Sequence, residues 1–257
     1  MAARGENGDT RRMMPLRFFV PLGGALAALV SLAASPALAA EALTPFGAPG
    51  STPPAPWHVS GLPQQTKPFT RFSIVEIDGR RAVKIEADES YGNLVHPVQA
   101  SAPAHLSWQW RVERPLANAD LRQRSGDDTA VKVCAFFDEP IDNAPFADRQ
   151  FLRIARGKTS EPVPGATVCY VWDSHLPAGT TLDNAFTRRV RYIVLESGDD
   201  RLNRWVSERR DLGADFLRLF KDESPTVPPI VGIAIGADAD NTHAHSISYV
   251  SGIALEP

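Results

Sequence analysis

The chain has 257 residues, 43% of them hydrophobic and 22% charged, with 22 prolines, 18 glycines, two cysteines and a formal net charge of −3. This composition excludes a disordered or collagen-like chain, and the lack of a basic excess argues against nucleic acid as the main partner. The length suffices for a core that folds without staples, so the two cysteines are optional.

Residues 1–39 read as a secretory signal peptide. Arg11, Arg12 and Arg17 precede an uncharged apolar run from Phe18 to Ala34, and Ala37 and Ala39 supply small residues where a signal peptidase reads. The run is short for a membrane span and is interrupted by Pro21, Gly23 and Gly24. Thr10-Arg11-Arg12 resembles a twin-arginine export signal, whereas Met14-Pro15-Leu16 departs from one, so both that route and general secretion stay open. Cleavage takes four of 27 basic and two of 30 acidic residues, leaving 23 and 28 and a net charge of −5. The expectation is a periplasmic or secreted protein with no membrane span after cleavage. Residues 40–56, with Pro45, Pro49, Pro53, Pro54 and Pro56, read as an extended, solvated leader. A single domain is expected over 57–257.

From Trp57 onward, short apolar or period-two runs alternate with turn residues. Phe72–Ile77, the turn dipeptide Asp78-Gly79 and Ala82–Ala87 form a predicted hairpin. Leu94–Val98 follows, then Leu106–Val112, in which Leu106, Trp108, Trp110 and Val112 share one face and Ser107, Gln109 and Arg111 the other. Val131–Phe137, Ala166–Trp172 and Arg191–Leu195 are more continuously apolar, as central strands covered on both faces are. A helix is predicted over Phe146–Arg156, with Asn143 as cap and Ala147, Phe151, Ile154 and Ala155 facing inward. A second follows Asp211, with Leu212, Phe216, Leu219 and Phe220 on one face. Trp205–Arg210, Ile230–Ala237 and Ile247–Leu255 complete about ten strands. The prediction is an all-β, jelly-roll-like sandwich with two short peripheral helices covering an open end or edge.

Cys134 and Cys169 lie mid-strand, 35 residues apart. They can bridge if their strands are neighbours in matching register, and are otherwise buried thiols. Arg124-Ser125-Gly126-Asp127-Asp128 and Asp238-Ala239-Asp240-Asn241-Thr242 are acidic turns. Their alternating oxygens suit either Asx turns or a calcium ion, with Asp238, Asp240 and Asn241 as the candidate ligands. His243 and His245 form half a zinc site at most and read as exposed histidines. Trp108 and Trp110 read as core. Trp172, which ends a strand before Asp173, and Trp205 are the better candidates for a ligand-facing aromatic, with Asp173 and Arg124 beside them. Glu196, paired with Asp127 or Asp128, is the candidate general acid and base. No serine-nucleophile elbow, H-E-x-x-H or glycine-rich phosphate loop is present.

Leu106–Val112, Arg124–Asp128, Tyr170-Val171-Trp172, Val194–Gly198 and Asp238–Thr242 together resemble blocks of an exported bacterial family, domain-of-unknown-function family 3047, over about Trp57 to Leu255. The resemblance implies an exported single-domain protein and directs attention to Arg124, Asp127, Asp128, Asp238, Asp240 and Asn241, as a buried network or a site. It implies no reaction. The leading expectation is a non-catalytic module binding an envelope glycan or another polar ligand, with calcium as a structural cation. The alternatives are a polysaccharide hydrolase or lyase using Glu196 and Asp127 or Asp128, and a structural envelope protein without a small ligand.

Overall fold

The computed structural model describes residues 43–159 and 161–256, so the expected signal peptide, residues 1–39, and residues 40–42 lie outside the described residues. In chain order the strands are β1 (His58–Ser60), β2 (Arg71–Ile77), β3 (Arg80–Asp88), β4 (Tyr91–Ala100), β5 (His105–Arg114), β6 (Thr129–Phe137), β7 (Ala166–Asp173), β8 (Thr181–Asp183), β9 (Val190–Ser197), β10 (Val206–Asp211), β11 (Ile230–Asp238) and β12 (His245–Glu256). Helix α1 (Phe146–Arg156) lies between β6 and β7, and α2 (Leu212–Phe220) follows β10 without a break. The strands form a jelly-roll-like sandwich of a seven-stranded sheet, β1-β4-β11-β6-β7-β9-β8, over a five-stranded one, β10-β5-β12-β3-β2. Neighbours are antiparallel except β7 and β9. No helix among the described residues is long and apolar enough to cross a membrane.

The predicted alternation of β5 holds. Leu106, Trp108, Trp110 and Val112 are at most 1% exposed, while Ser107, Gln109 and Arg111 are half-buried on the outer face. The buried row meets β7 across the sandwich: Trp108 lies 5.2 Å from Tyr170 and Trp110 lies 6.0 Å from Trp172, ring centre to ring centre. These contacts set β5 over β7, and so place the flanking strands β10 and β9 along the same side of the sandwich. β6 and β7 are buried on both faces because a second apolar layer, including Leu121, Cys134, Cys169, Val171 and Tyr192, covers the outside of the large sheet. At the β2–β3 turn, Asp78 and Gly79 both have positive φ, 52° and 69°, as a two-residue hairpin twisted with its strands requires.

The helices match their expected spans but only partly their expected faces. Asp211 caps α2, accepting a hydrogen bond from Ala214 N at 2.9 Å, and Phe216 and Phe220 close one end of the core against Phe137. α1 is not capped by Asn143, whose amide donates to Glu139 Oε1 instead; Pro145 takes the cap position, where it sacrifices no helical N–H. α1 buries Leu152 and Ala155 and leaves Phe151 and Ile154 about half exposed, contrary to the expected inward face.

The solvated leader also needs correction. Leu43 and Phe46 are buried in the main core, Trp57 Nε1 donates to Thr44 O at 2.7 Å, and the Phe46 and Trp57 rings are 5.6 Å apart. Prolines supply an extended backbone, but two apolar side chains among them are enough to pin it. The fold therefore includes residues from at least Leu43.

Cys134 and Cys169 are register partners on β6 and β7, with Cα atoms 4.1 Å apart, and are joined by a disulfide. Closing a loop of this length is worth about 3–4 kcal/mol. The double variant Cys134→Ala/Cys169→Ala is therefore expected to lose about that much in urea unfolding, and an unchanged midpoint would contradict it. Phe46→Ala is expected to cost about 3 kcal/mol by the same measurement, with a change in Trp57 fluorescence. A neutral effect of that variant would restore the picture of a detached leader.

Candidate functional site

The two acidic turns meet, and they meet as a network. Asp128 accepts hydrogen bonds from Asn241 N, Asn241 Nδ2, Thr242 N and Thr242 Oγ1 at 2.6–3.2 Å. Asp238 accepts from Thr129 N and Oγ1, and pairs with Lys132 Nζ at 2.8 Å, both side chains being about 5% exposed. The charge of Asp238 is thus opposed by the Lys132 ammonium. Among the described residues no group of three or more His, Cys, Asp or Glu is placed to hold a metal. Half-buried Asp240 has its pKa raised by burial and by the charges of Asp238 and Asp128. Asp127 accepts from Asn184 Nδ2 and from Tyr192 OH, and is pushed up to about 7 by burial and then by Asp238. His243 faces Glu89 on the surface, and half-buried His245 faces Arg114.

Other predicted site residues are taken up by the framework. Trp172, expected at a mouth, is 3% exposed in the core, its Nε1 donating to Gly198 O at 3.1 Å. Asp173 accepts from His175 N and Leu176 N, closing the turn after β7. Arg124 donates to Ala185 O and lies 5.3 Å from the Phe186 ring. Trp205 is half-buried on the outer side of the small sheet, with Nε1 donating to Asp78 Oδ2 at 3.2 Å and the Arg80 guanidinium over its ring.

Glu196 does not meet Asp127. It pairs in register with Trp172 just past a bulge in β9, whereas Asp127 binds Tyr192, in the layer outside the large sheet. The carboxylate whose charge acts on Glu208 is Glu196. On β10, Glu208 is the register partner of Trp108 and shares its inward direction. Strand parity alone carried this signal, since Val206, Glu208 and Arg210 fall on one face, and an inward charge on an edge strand is ordinarily a guard against edge pairing.

The pair sits where the sandwich opens. β10 is an edge strand, and β8 with the residues before it covers β9 as far as Val194, leaving Glu196 beyond that pairing. Arg201, in the connection from β9 to β10, donates to Glu196 Oε1 at 2.9 Å; the Glu196 side chain is 13% exposed. Behind Glu208, Arg210 grips Asp215 of α2 with two bonds of 2.8 and 2.6 Å, and Asp215 accepts from Tyr170 OH at 2.8 Å. Burial raises the Glu196 pKa against the pull of Arg201. Burial, followed by the charge of Glu196, pushes Glu208 up to about 7, opposed by Trp110, Arg210 and Arg201. The Trp110 indole leans toward Glu208 and favours its anion without closing a hydrogen bond of ordinary geometry. Glu208 Oε1, Trp110 Nε1 and Trp108 Nε1 are all buried without a direct partner.

Burial, with the charge of Glu196 added, lets Glu208 hold its proton to near neutrality while Glu196 keeps Arg201. Folded Glu208 retains a proton up to about 7, whereas its ordinary value is 4.5, so across that window the folded chain binds more protons than the unfolded one. Stability therefore falls as pH rises through the window. Glu208→Gln is expected to flatten this decline in urea midpoints taken between pH 4.5 and 7.5, with Asp127, raised for similar reasons, supplying the residual slope. A variant with the wild-type slope would contradict the protonation assigned to Glu208.

Among solved structures, the xyloglucanase domain of NopAA, a type three effector from Sinorhizobium fredii in complex with cellobiose, is similar at 10% identity and a TM-score of 0.39, over 77% of this chain and 90% of that one. The cellulose induced protein Cip1 is similar at 9% identity and a TM-score of 0.32, over 77% and 90%. The endoglucanase 3 of Trichoderma harzianum, from family GH12, is similar at 10% and 0.31, over 79% and 97%. Likeness at this level says nothing of what the present chain binds. No curated protein matches the sequence. A family model matches residues 55–254, nearly the whole described domain, and the chain belongs to the family it defines, Protein of unknown function (DUF3047).

Proposed function

We propose that this is an exported protein that binds a neutral envelope glycan at the open edge between β9 and β10. The observation that carries the reading is the set of buried polar atoms without a direct hydrogen-bond partner on β10 and the adjoining β5: Glu208 Oε1 and the indole N–H groups of Trp110 and Trp108. Buried polar groups in native proteins are nearly always hydrogen-bonded, so such a cluster calls for water or a ligand to complete it. A sugar's hydroxyls are both donors and acceptors. They can donate to the carboxyl oxygens of Glu196 and Glu208 and accept from indole N–H and guanidinium, which suits this mixture better than an apolar ligand does. The charges of two carboxyls that act on one another disfavour an anionic polymer. The exported location rests on residues 1–39, and the disulfide between Cys134 and Cys169 fits an oxidising compartment.

The test is affinity electrophoresis of the mature protein in gels containing soluble β-glucan, xylan, mannan or galactan. Retardation by at least one neutral polysaccharide is expected. Glu196→Ala/Glu208→Ala should weaken it more than about tenfold, since each hydrogen bond to a charged group is worth about 1.5–3 kcal/mol. Trp205→Ala, on the outer face, should bind as the wild type does. Retardation by none of the four, or a double variant that binds normally, would overturn the proposal.

A further inference from the structure

We infer that the outward face of α1 is a docking surface for an anionic phospholipid membrane, formed by Phe146, Phe151 and Ile154 with Arg153, Arg156 and Lys158 around them. The inference stands on α1 alone and is independent of the glycan reading.

A helix on the surface of a domain ordinarily turns its apolar side inward. α1 is mounted the other way. Its inward side carries Leu152, Ala155 and the carboxylate of Asp148, 3.7 Å from the guanidinium of buried Arg189. Just beyond the helix, Val163 O accepts from Arg156 Nε at 3.2 Å. These contacts fix the rotation of the helix and leave Phe146 69%, Phe151 47% and Ile154 58% exposed. Phe146 and Ile154 fall on one row of the helix and Ala147 and Phe151 on the next, so a continuous apolar stripe runs along the outside. Arg153 and Arg156 are exposed along one border of the stripe, and exposed Lys158 follows the last turn. Residues 146–158 hold four basic residues and one acidic, a net charge of +3, in a chain whose expected mature form totals −5. The one acidic residue is Asp148, which is turned toward Arg189, so the outward side carries no carboxylate.

An apolar stripe bordered by positive charge matches a lipid headgroup layer. The rings and the isoleucine enter the acyl boundary, while the guanidinium and ammonium groups stay at the phosphates. A second copy of the chain matches it poorly. A two-fold contact sets the same face against itself and brings Arg153, Arg156 and Lys158 toward their own counterparts. The face is also small: an 11-residue helix is about 16 Å long and about 10 Å across, or about 160 Å², against about 800 Å² per partner in a standard protein interface. A bilayer surface needs no complementary shape and accepts a convex helix.

The experiment is co-sedimentation of the mature, disulfide-intact protein with sucrose-loaded vesicles, of phosphatidylcholine alone or of phosphatidylcholine and phosphatidylglycerol in equal parts. Binding to the anionic vesicles should be about tenfold stronger than to the neutral ones, and salt that shortens the Debye length to about 3 Å should remove most of the difference. Phe151→Ser/Ile154→Ser should weaken binding to anionic vesicles about tenfold. Arg153→Gln/Lys158→Gln should bring it close to the neutral level. All four positions are exposed, so both variants should melt as the wild type does. Sedimentation with neither kind of vesicle, equal binding to both, or unchanged binding by the two variants would overturn the inference. A concentration-dependent dimer in sedimentation velocity that Phe151→Ser/Ile154→Ser abolishes would overturn it by assigning the face to a second copy. None of these outcomes bears on the polysaccharide retardation that tests the glycan reading.

Discussion

The contact between the two sheets, made by Trp108 on Tyr170 and Trp110 on Trp172, decides where everything else stands. Four large rings, all at most 3% exposed, hold β5 directly over β7. Beyond β5 the small sheet ends at β10, while beyond β7 the large sheet continues through β9 and β8, so that packing sets β10 over β9. Glu208 on β10 lies level with Trp108, and Glu196 on β9 level with Trp172. Shifting either strand by one residue would turn its glutamate to the other face, so the pair exists only as long as the aromatic packing keeps the register.

The acidic turns show the opposite outcome for charged groups in the same domain. Asp128 and Asp238 are surrounded by donors from Thr129, Asn241, Thr242 and Lys132, so their oxygens are spent within the protein. They join the segment before β6 to the turn after β11 and hold the two ends in place. Glu208, by contrast, keeps an oxygen buried and unpartnered beside two indole N–H groups. A satisfied network stiffens a fold, whereas an unsatisfied cluster at an open edge leaves capacity for something outside the chain.

Much of the sandwich was legible from period alone. All ten expected strands occur, because alternation in β5 and continuous apolar character in β6 and β7 report directly on one wet face or none. The two unforeseen strands, His58–Ser60 and Thr181–Asp183, are three residues long and too short to show a period. Leu43 and Phe46 were masked by the prolines around them. Trp172 ends a strand, which in sequence looks like a mouth; only the return of the chain at Gly198, whose carbonyl receives its indole N–H, closes that mouth. Glu196 was recognisable as a carboxylate at a strand end, but its partner was not Asp127 or Asp128. Choosing among them required knowing which side of the large sheet each faces, and strand order and sheet packing are long-range facts that no local pattern carries.

The account depends most on Glu196 and Glu208 sharing their surroundings closely enough for one to retain a proton near neutrality. Carbon-13 NMR titration of the side-chain carboxyls in glutamate-labelled mature protein measures this directly. One glutamate should titrate near 7, should vanish from the spectrum in Glu208→Gln, and should move toward the ordinary range in Glu196→Gln as the neighbouring charge is removed. If every glutamate carboxyl instead titrates in its ordinary range near 4.5, the two side chains are independent solvated groups, and the site at the β9–β10 edge does not exist in the form described.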